Sequence, residues 1–217
     1  MIQLSYSTIN MLYEASHNWL NKQMGLKPED HEYYHAGKKA HRIIQDHVSG
    51  KKPDERLLHI QYTFPIVEEV DFDSRCKFNF NFHHGLLDPL ATKNKYNIIG
   101  FVDGLDPDNK TFLEIKSADP VWSLAKFQRA MQRKLYALAK PDFKEAILIT
   151  CSKDPSRWTT ETPRVYSVPL TDQDRKEASD WILGGIKMIE AGQFDGGLEN
   201  GRCNDPRCYF GVNCQFK

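Results

Sequence analysis

Four predicted strands follow one another between two amino-terminal helices and a third helix, and this order limits the folds open to the chain. Helical periodicity, strand-like alternation and turn formers define the elements. In chain order they are helices at 7–24 and 33–48, strands at 60–70, 77–82, 96–104 and 111–117, a helix at 122–140, strands at 145–151 and 164–170, and a helix at 171–192. Consecutive strands differ from the alternating order of a doubly wound nucleotide-binding sheet, and neither G-x-G-x-x-G nor a P-loop occurs. We therefore predict an α/β fold with a central mixed β-sheet flanked by helices.

Length and charge favour one globular domain. The 217 residues suffice for a single core over 1–217, with an amino-terminal helical segment at 1–30 and a cysteine-containing tail at 193–217. The 29 basic and 29 acidic side chains give a net charge of zero, but nucleic-acid binding needs only a local basic surface. No apolar run reaches the ~18–20 residues that span a bilayer, and no signal-peptide pattern is present. We expect a cytoplasmic protein without a membrane partner.

Charged residues occupy the predicted hairpin "GFVDGLDPDNKTFLEIKS". Glu114 and Lys116 share one face of the second strand, because strand side chains alternate. The short turn places Asp103 within about one residue of Glu114 on the neighbouring strand, where facing Cβ atoms are roughly 5 Å apart. Two carboxylates so close repel each other without a cation or a shared proton, so the pair suits a divalent metal. The alternative is a solvated hairpin whose Glu–Lys pair is worth under ~1 kcal/mol.

The flanking helices carry further candidates. His41 lies in "GKKAHRIIQ", among apolar and basic residues, although a lone helical histidine is more often structural. The third helix has a predicted buried stripe, an amide and phenol border, and a cationic edge. These are, in turn, Phe127, Met131, Leu135 and Leu138; Gln128, Gln132 and Tyr136; and Lys126, Arg129 and Arg133. Such an edge suits a polyanion, but an amphipathic helix with a basic polar face has the same pattern.

Five short motifs occur in order along the chain. They are "LSYSTINML" with Ser-x-Ser, "GKKAH" with G-x-x-x-H, "IIGFVDGLD" with G-x-x-D, "LEIKS" with E-x-K, and "QRKLY" with Q-x-x-x-Y. Together they resemble the PD-(D/E)XK nuclease superfamily, in its RecB-like branch, which includes a CRISPR-associated exonuclease. The resemblance implies a restriction-endonuclease-like core that covers nearly the whole chain.

The resemblance also implies a site and a reaction. His41, Asp103, Glu114 and the backbone carbonyl of Ile115 would hold Mg²⁺ or Mn²⁺, and Lys116 would be the catalytic lysine. Gln132 and Tyr136 would position DNA, and we assign Arg129 and Arg133 to the same role. The expected activity is hydrolysis of DNA phosphodiester bonds at ends or in single strands, as in repair, recombination, phage replication or CRISPR-type processing, with a helicase or recombination protein as partner. The alternative is a catalytically silent nucleic-acid-binding or assembly module.

Cysteines crowd the carboxyl-terminal tail, at Cys203, Cys208 and Cys214. In many members of the branch, three such cysteines and one from the first helix hold a 4Fe–4S cluster. Here Ala15 and Ser16 stand where that cysteine is expected, so the set is one ligand short. His17, Cys151 or a residue in the tail could complete it. Zn²⁺ at the same cysteines, or a tail without metal, are the alternatives.

Trp122 is the best candidate among the four tryptophans for stacking on a base. It follows the strand that carries Glu114 and Lys116 and precedes the helix that carries Gln132 and Tyr136. The other reading, that all four tryptophans pack in the core or at its rim, is open at this point.

Overall fold

The computed structural model describes residues 2–26, 32–67, 77–80, 96–159 and 162–194. The chain divides into two compact units, and the single-domain organisation stays a prediction. One unit comprises Met1–His31, Asn81–Ile98 and Glu177–Lys217, and the other comprises Glu32–Phe80 and Ile99–Lys176. The elements are, in chain order, β1 (Ile2–Ser5), α1 (Tyr6–Gln23), α2 (Glu32–Val48), β2 (Ile66–Val67), β3 (Lys77–Phe80), β4 (Tyr96–Phe101), β5 (Gly104–Asp106), β6 (Thr111–Ser117), α3 (Leu124–Arg129), α4 (Met131–Ala139), β7 (Glu145–Cys151), β8 (Arg164–Pro169) and α5 (Asp172–Glu190).

A five-stranded mixed sheet lies wholly within the second unit, and the predicted α/β class with a mixed sheet is confirmed. The strand order is β2-β5-β6-β7-β8. All neighbours are antiparallel except β6 and β7, which pair in parallel with Glu114 beside Leu148. A parallel pair needs a crossover connection, and α3 and α4 supply it here.

Apolar side chains cover both faces of this sheet. Leu113 and Ile115 of β6 join a buried cluster with Ala40 and Ile44 of α2. Phe112, which points to the opposite face, joins a second cluster with residues of α3 and α4. The alternation predicted for this strand is therefore confirmed, and α2 lies on one face while α3 and α4 lie on the other.

The first unit contains α1 and most of α5. The Ser5 hydroxyl accepts the Thr8 N–H at 3.3 Å and begins α1. The Tyr13 hydroxyl donates to the Trp181 carbonyl at 2.6 Å, and their rings stack with centroids 5.6 Å apart. These contacts join the two helices within this unit. Among the described residues, no helix has both the length and the hydropathy needed to cross a bilayer.

Three predicted elements differ in the structure. Of the strand predicted at 60–70, the structure describes 60–67, and within that part only β2 is a strand. The segment before β2 enters the core as a loop, with Phe64 N–H bonded to the Val48 carbonyl, and Pro65 donates no bond. The strand at 96–104 ends at Phe101 and resumes at Gly104. The helix at 122–140 breaks at Ala130, whose ψ of 119° is extended. The predicted strand at 77–82 is described as β3, over 77–80.

Side chains account for two of these breaks. At the strand break, the Asp103 carboxylate accepts the Ile115 N–H at 2.6 Å. In a continuous strand, a backbone carbonyl would accept this N–H instead. At the helix break, the Arg133 guanidinium donates to the Gln128 carbonyl at 2.9 Å, which a continuous helix would pair with a backbone N–H four residues later.

Candidate active site

The candidate site lies where β5 begins beside β6, and the predicted approach of Asp103 to Glu114 is confirmed. Gly104 pairs with Leu113, and Asp103 N–H donates to the Leu113 carbonyl at 3.1 Å, so the next pair along is Asp103 and Glu114. Beyond this point β7 is the strand that pairs with β6 among the described residues. The charged side chains meet at the edge of β6 beside Asp103.

Asp103 is buried and uses both carboxylate oxygens. Oδ2 accepts the Ile115 N–H, and Oδ1 lies 3.2 Å from His41 Nε2. Burial opposes ionisation, but His41, Lys116 and the Ile115 N–H together lower the pKa of this carboxyl. Because the N–H and carbonyl of one strand residue point to the same neighbour, the Ile115 carbonyl is directed to this edge as well.

A close contact between α2 and the end of β6 brings His41 to Asp103. The Ser117 hydroxyl donates to the Gly37 carbonyl at 2.9 Å, and a Cβ on Gly37 would lie only 3.3 Å from that hydroxyl. His41 follows one turn later on the same helix face. Burial opposes its charged form, but the Asp103 charge and hydrogen bond raise the pKa of His41 above its ordinary value. This contact gives the G-x-x-x-H segment a structural basis.

Glu114 is 3% exposed and forms an ion pair with Lys116. Its other oxygen, Oε2, is buried and has no hydrogen-bond partner among the described residues. Burial is the largest influence on this carboxyl and raises its pKa to about 7, although the charge of Lys116 opposes the shift. A buried carboxylate oxygen without a donor is costly, and either a proton or a cation would relieve that cost.

A chain of hydrogen bonds holds Lys116 from its other side. Lys116 Nζ donates to Gln132 Oε1 at 2.8 Å, and Gln132 Nε2 donates to the Tyr136 hydroxyl at 2.9 Å. That hydroxyl donates to the Phe101 carbonyl at 2.5 Å. The structure thus brings Gln132 and Tyr136 to the site, where Gln132 binds Lys116 and Tyr136 binds the end of β4.

Tyr136 occupies the space that a side chain on Gly100 would need. A Cβ at Gly100 would lie 2.9 Å from Tyr136 Cε1, closer than real contacts allow. Gly100 of G-x-x-D and Tyr136 of Q-x-x-x-Y therefore pack directly against each other.

The two arginines assigned to DNA differ in the structure. Arg129 is exposed, as that assignment requires, and its Nε donates to the Ala125 carbonyl at 3.1 Å. Arg133 is 3% exposed and forms a bidentate ion pair with Asp174, at 2.6 and 3.1 Å. Asp174 also accepts from the Thr171 N–H and hydroxyl at the start of α5. The expectation that Arg133 positions DNA is thus wrong, since its guanidinium is committed inside the protein.

Sequence reasoning missed Asp174. Its signal was present in Thr171-x-x-Asp174, a capping-box spacing at the predicted start of a helix, which places an acidic side chain at a fixed point.

The predicted metal ligands lie close together, but their side chains pair with one another or with Lys116. Among the described residues, no set of three or more His, Cys, Asp and Glu side chains is arranged to hold a metal ion. His41 faces Asp103 and Glu114 faces Lys116 instead. The donor set nevertheless has the chemistry that suits a hard divalent cation, because it offers two carboxylates, one imidazole and one carbonyl, and Glu114 Oε2 has no hydrogen-bond donor among the described residues. The 3.2 Å between His41 and Asp103 is also close to the ~3.0 Å between neighbouring ligands ~2.1 Å from an octahedral cation.

The cysteine ligands are mostly beyond the described residues. Cys203, Cys208 and Cys214 lie there, and nothing is described of the His17 side chain. Cys151 is fully buried in the cluster around α2. Burial, with the charge of Asp119, raises the pKa of its thiol to about 12. Cys151 is therefore a core residue of the described part of the chain, and its part in the cysteine set stays a prediction.

No protein-family model matches the chain, and no curated protein matches it.

Proposed function

We propose that the chain is a divalent-metal-dependent deoxyribonuclease with a restriction-endonuclease-like core of the PD-(D/E)XK type, in the RecB-like branch. The observation that carries this proposal is the meeting of four charged side chains at one strand edge, from α2, from β6 and from the residue just before β5. They are His41, Glu114 and Lys116, and Asp103. A solvated hairpin would leave these side chains exposed, whereas here both carboxylates are buried. The five ordered sequence motifs support the same function.

The ligands would be His41, Asp103, Glu114 and the Ile115 carbonyl, with Mg²⁺ or Mn²⁺ as the cation. A bound divalent cation supplies Lewis acidity and lowers the pKa of water. Imidazole among oxygen ligands widens tolerance toward Mn²⁺.

Lys116 has the geometry of a group that orients the attacking water and offsets charge on the phosphate. Its ammonium is held between Glu114 and Gln132, so it requires little reorganisation during the reaction. The side chain is 24% exposed, which leaves it accessible from solvent. We infer that Gln132 and Tyr136 support this lysine, and that Arg129 and the exposed Lys38 and Lys39 of α2 bind the DNA backbone.

Cleavage assays test the proposal directly. Plasmid and end-labelled single- and double-stranded DNA are incubated with Mg²⁺, Mn²⁺ or EDTA, and products are mapped from both ends. We expect cutting with either ion, no cutting in EDTA, and loss of cutting in Asp103→Ala and Lys116→Ala. Lys144→Ala is the matched control, because Lys144 is an exposed lysine just before β7, at the opposite end of the sheet from the site.

Two results would overturn the proposal. Activity that survives in Asp103→Ala and Lys116→Ala would remove the site from the reaction. Binding of DNA by the wild-type protein without cutting under any metal would select the catalytically silent nucleic-acid-binding module instead.

A further inference from the structure

Trp122 is tied to the backbone of the candidate catalytic lysine. Its backbone N–H donates to the Thr150 hydroxyl at 3.1 Å, and that hydroxyl donates to the Lys116 carbonyl at 3.1 Å. Thr150 is fully buried, so this bridge is shielded from water. Trp122 itself is half-buried and packs against the cluster beside α3 and α4. The position of the indole relative to Lys116 is therefore set by the fold.

Two ammonium groups lie near the indole ring. Lys116 Nζ is 5.5 Å from the ring centroid, and Lys126 Nζ is 4.4 Å from it. Both distances are within the range of cation–π attraction. An indole ring with two neighbouring cations combines the features that single-stranded nucleic acid contacts, namely a stacking face for a base, once an ammonium moves off the ring, and positive charges for phosphates.

From this arrangement, and on the basis of the proposed nuclease function, we propose that Trp122 stacks on one unpaired nucleobase next to the phosphate held at Lys116. Lys126 binds a neighbouring phosphate of the same strand. The site would then take single-stranded DNA or a frayed duplex end.

Geometry limits how many nucleotides the site spans. Because both ammonium groups lie near one ring, they are at most about 10 Å apart. One DNA strand carries a phosphate every ~3.4 Å of helix axis, so the span corresponds to no more than about three nucleotides. Bases inside a duplex have both faces covered by their neighbours, whereas unpaired bases offer a face to an aromatic ring. The preference for unpaired DNA follows from this difference.

Binding to matched oligonucleotides tests the proposal. The full chain with Glu114→Gln, in EDTA, is titrated against fluorescent oligo(dT), an abasic strand of the same length, and a blunt hairpin duplex. Stacking of one base contributes an affinity difference of about 5- to 150-fold. We expect a preference in this range for oligo(dT) over the abasic strand, and we expect Trp122→Ala to abolish it and Trp122→Phe to retain part of it. Leu124→Ala is the matched control, because Leu124 is a neighbouring exposed apolar side chain, 37% exposed.

Lys126→Ala separates the phosphate contribution from the base contribution. It should weaken binding of oligo(dT) and the abasic strand by the same factor, because both carry the same phosphates. Equal affinity of the tryptophan-containing protein for oligo(dT) and the abasic strand would overturn the proposal, and this comparison does not depend on the folding of any Trp122 variant. An unchanged preference in a folded Trp122→Ala protein would overturn it too.

The outcome is distinguishable from failure of the proposed function. A protein that prefers oligo(dT) through Trp122 but cuts no DNA with Mg²⁺ or Mn²⁺ supports the stacking site and contradicts the nuclease. A protein that cuts DNA, but whose strand preference is the same in Trp122→Ala, supports the nuclease and contradicts the stacking site.

Discussion

The buried ion pair of Arg133 and Asp174 gives the sharpest test of whether the arginines of α3 and α4 stabilise the fold or bind DNA. Replacing Arg133 with Met keeps an unbranched chain as long as the arginine side chain up to Nε, and removes the bidentate pair and the bond to the Gln128 carbonyl. Breaking a buried ion pair from one side costs about 3–5 kcal/mol. Asp174 keeps its two bonds from Thr171, so we expect the lower end, about 3 kcal/mol. For a chain of this size the melting temperature should then fall by about 6–12 °C.

Arg129 is the matched control for this experiment, because it is four residues earlier and exposed. Arg129→Ala should change stability by no more than ~0.5 kcal/mol. It should weaken DNA binding and lower the salt dependence by about one phosphate contact. Thermal melts and urea titrations measure stability, and anisotropy at several salt concentrations measures binding. The reasoning is refuted if Arg133→Met melts like the wild type and loses DNA affinity as Arg129→Ala does.

Three further predictions concern the same unit. Gly100→Ala should cost about 1–3 kcal/mol in urea unfolding and reduce cleavage, because its Cβ would lie 2.9 Å from the Tyr136 ring; unchanged stability would contradict the contact. Gln132→Ala should lower kcat about 10- to 100-fold with little change in DNA affinity, because Lys116 loses its 2.8 Å acceptor; a loss confined to affinity would return Gln132 to a DNA-contacting role. Burial raises the pKa of Asp174, but hydrogen bonds and the charge of Arg133 outweigh burial and lower that pKa below its ordinary value. The contribution of Asp174 to stability is therefore complete above pH ~4 and is lost on further acidification. Melts from pH 6 to 2.5 should show a steeper acid loss in the wild type than in Asp174→Asn, and equal slopes would contradict it.

Much of the candidate site could be predicted because residue type and spacing sufficed. The turn after β5 is short, which fixed the approach of Asp103 to Glu114 to within one residue, and strand alternation placed Lys116 on the Glu114 face. The position of His41 needed the motif, because helical spacing alone does not say which strand a helix face meets.

The break at Ala130 could not be predicted, and it changed which side chains are buried. Alanine is the strongest helix former, so nothing local marks the end of α3. A continuous helix would bury the stripe of Phe127, Met131, Leu135 and Leu138. In the structure, the break changes the phase of α4, so that Arg133 is buried while Met131 is only half-buried. The partner that makes this possible, Asp174, is 41 residues away in sequence.

The motifs of this chain contain residues of two kinds, and they are recognised in different ways. Asp103 and Gln132 carry polar groups whose type already indicates a role. Gly100 and Tyr136 lie three and four residues from them, and their role appears only when both are seen together, as one glycine that receives one ring. Because the Tyr136 hydroxyl also donates to the Phe101 carbonyl, this contact fixes the end of β4, just before Asp103, against the helix that holds Lys116 through Gln132. Tyr136→Phe keeps the ring beside Gly100 and removes only the hydroxyl, so it should cost less stability in urea unfolding than Gly100→Ala does.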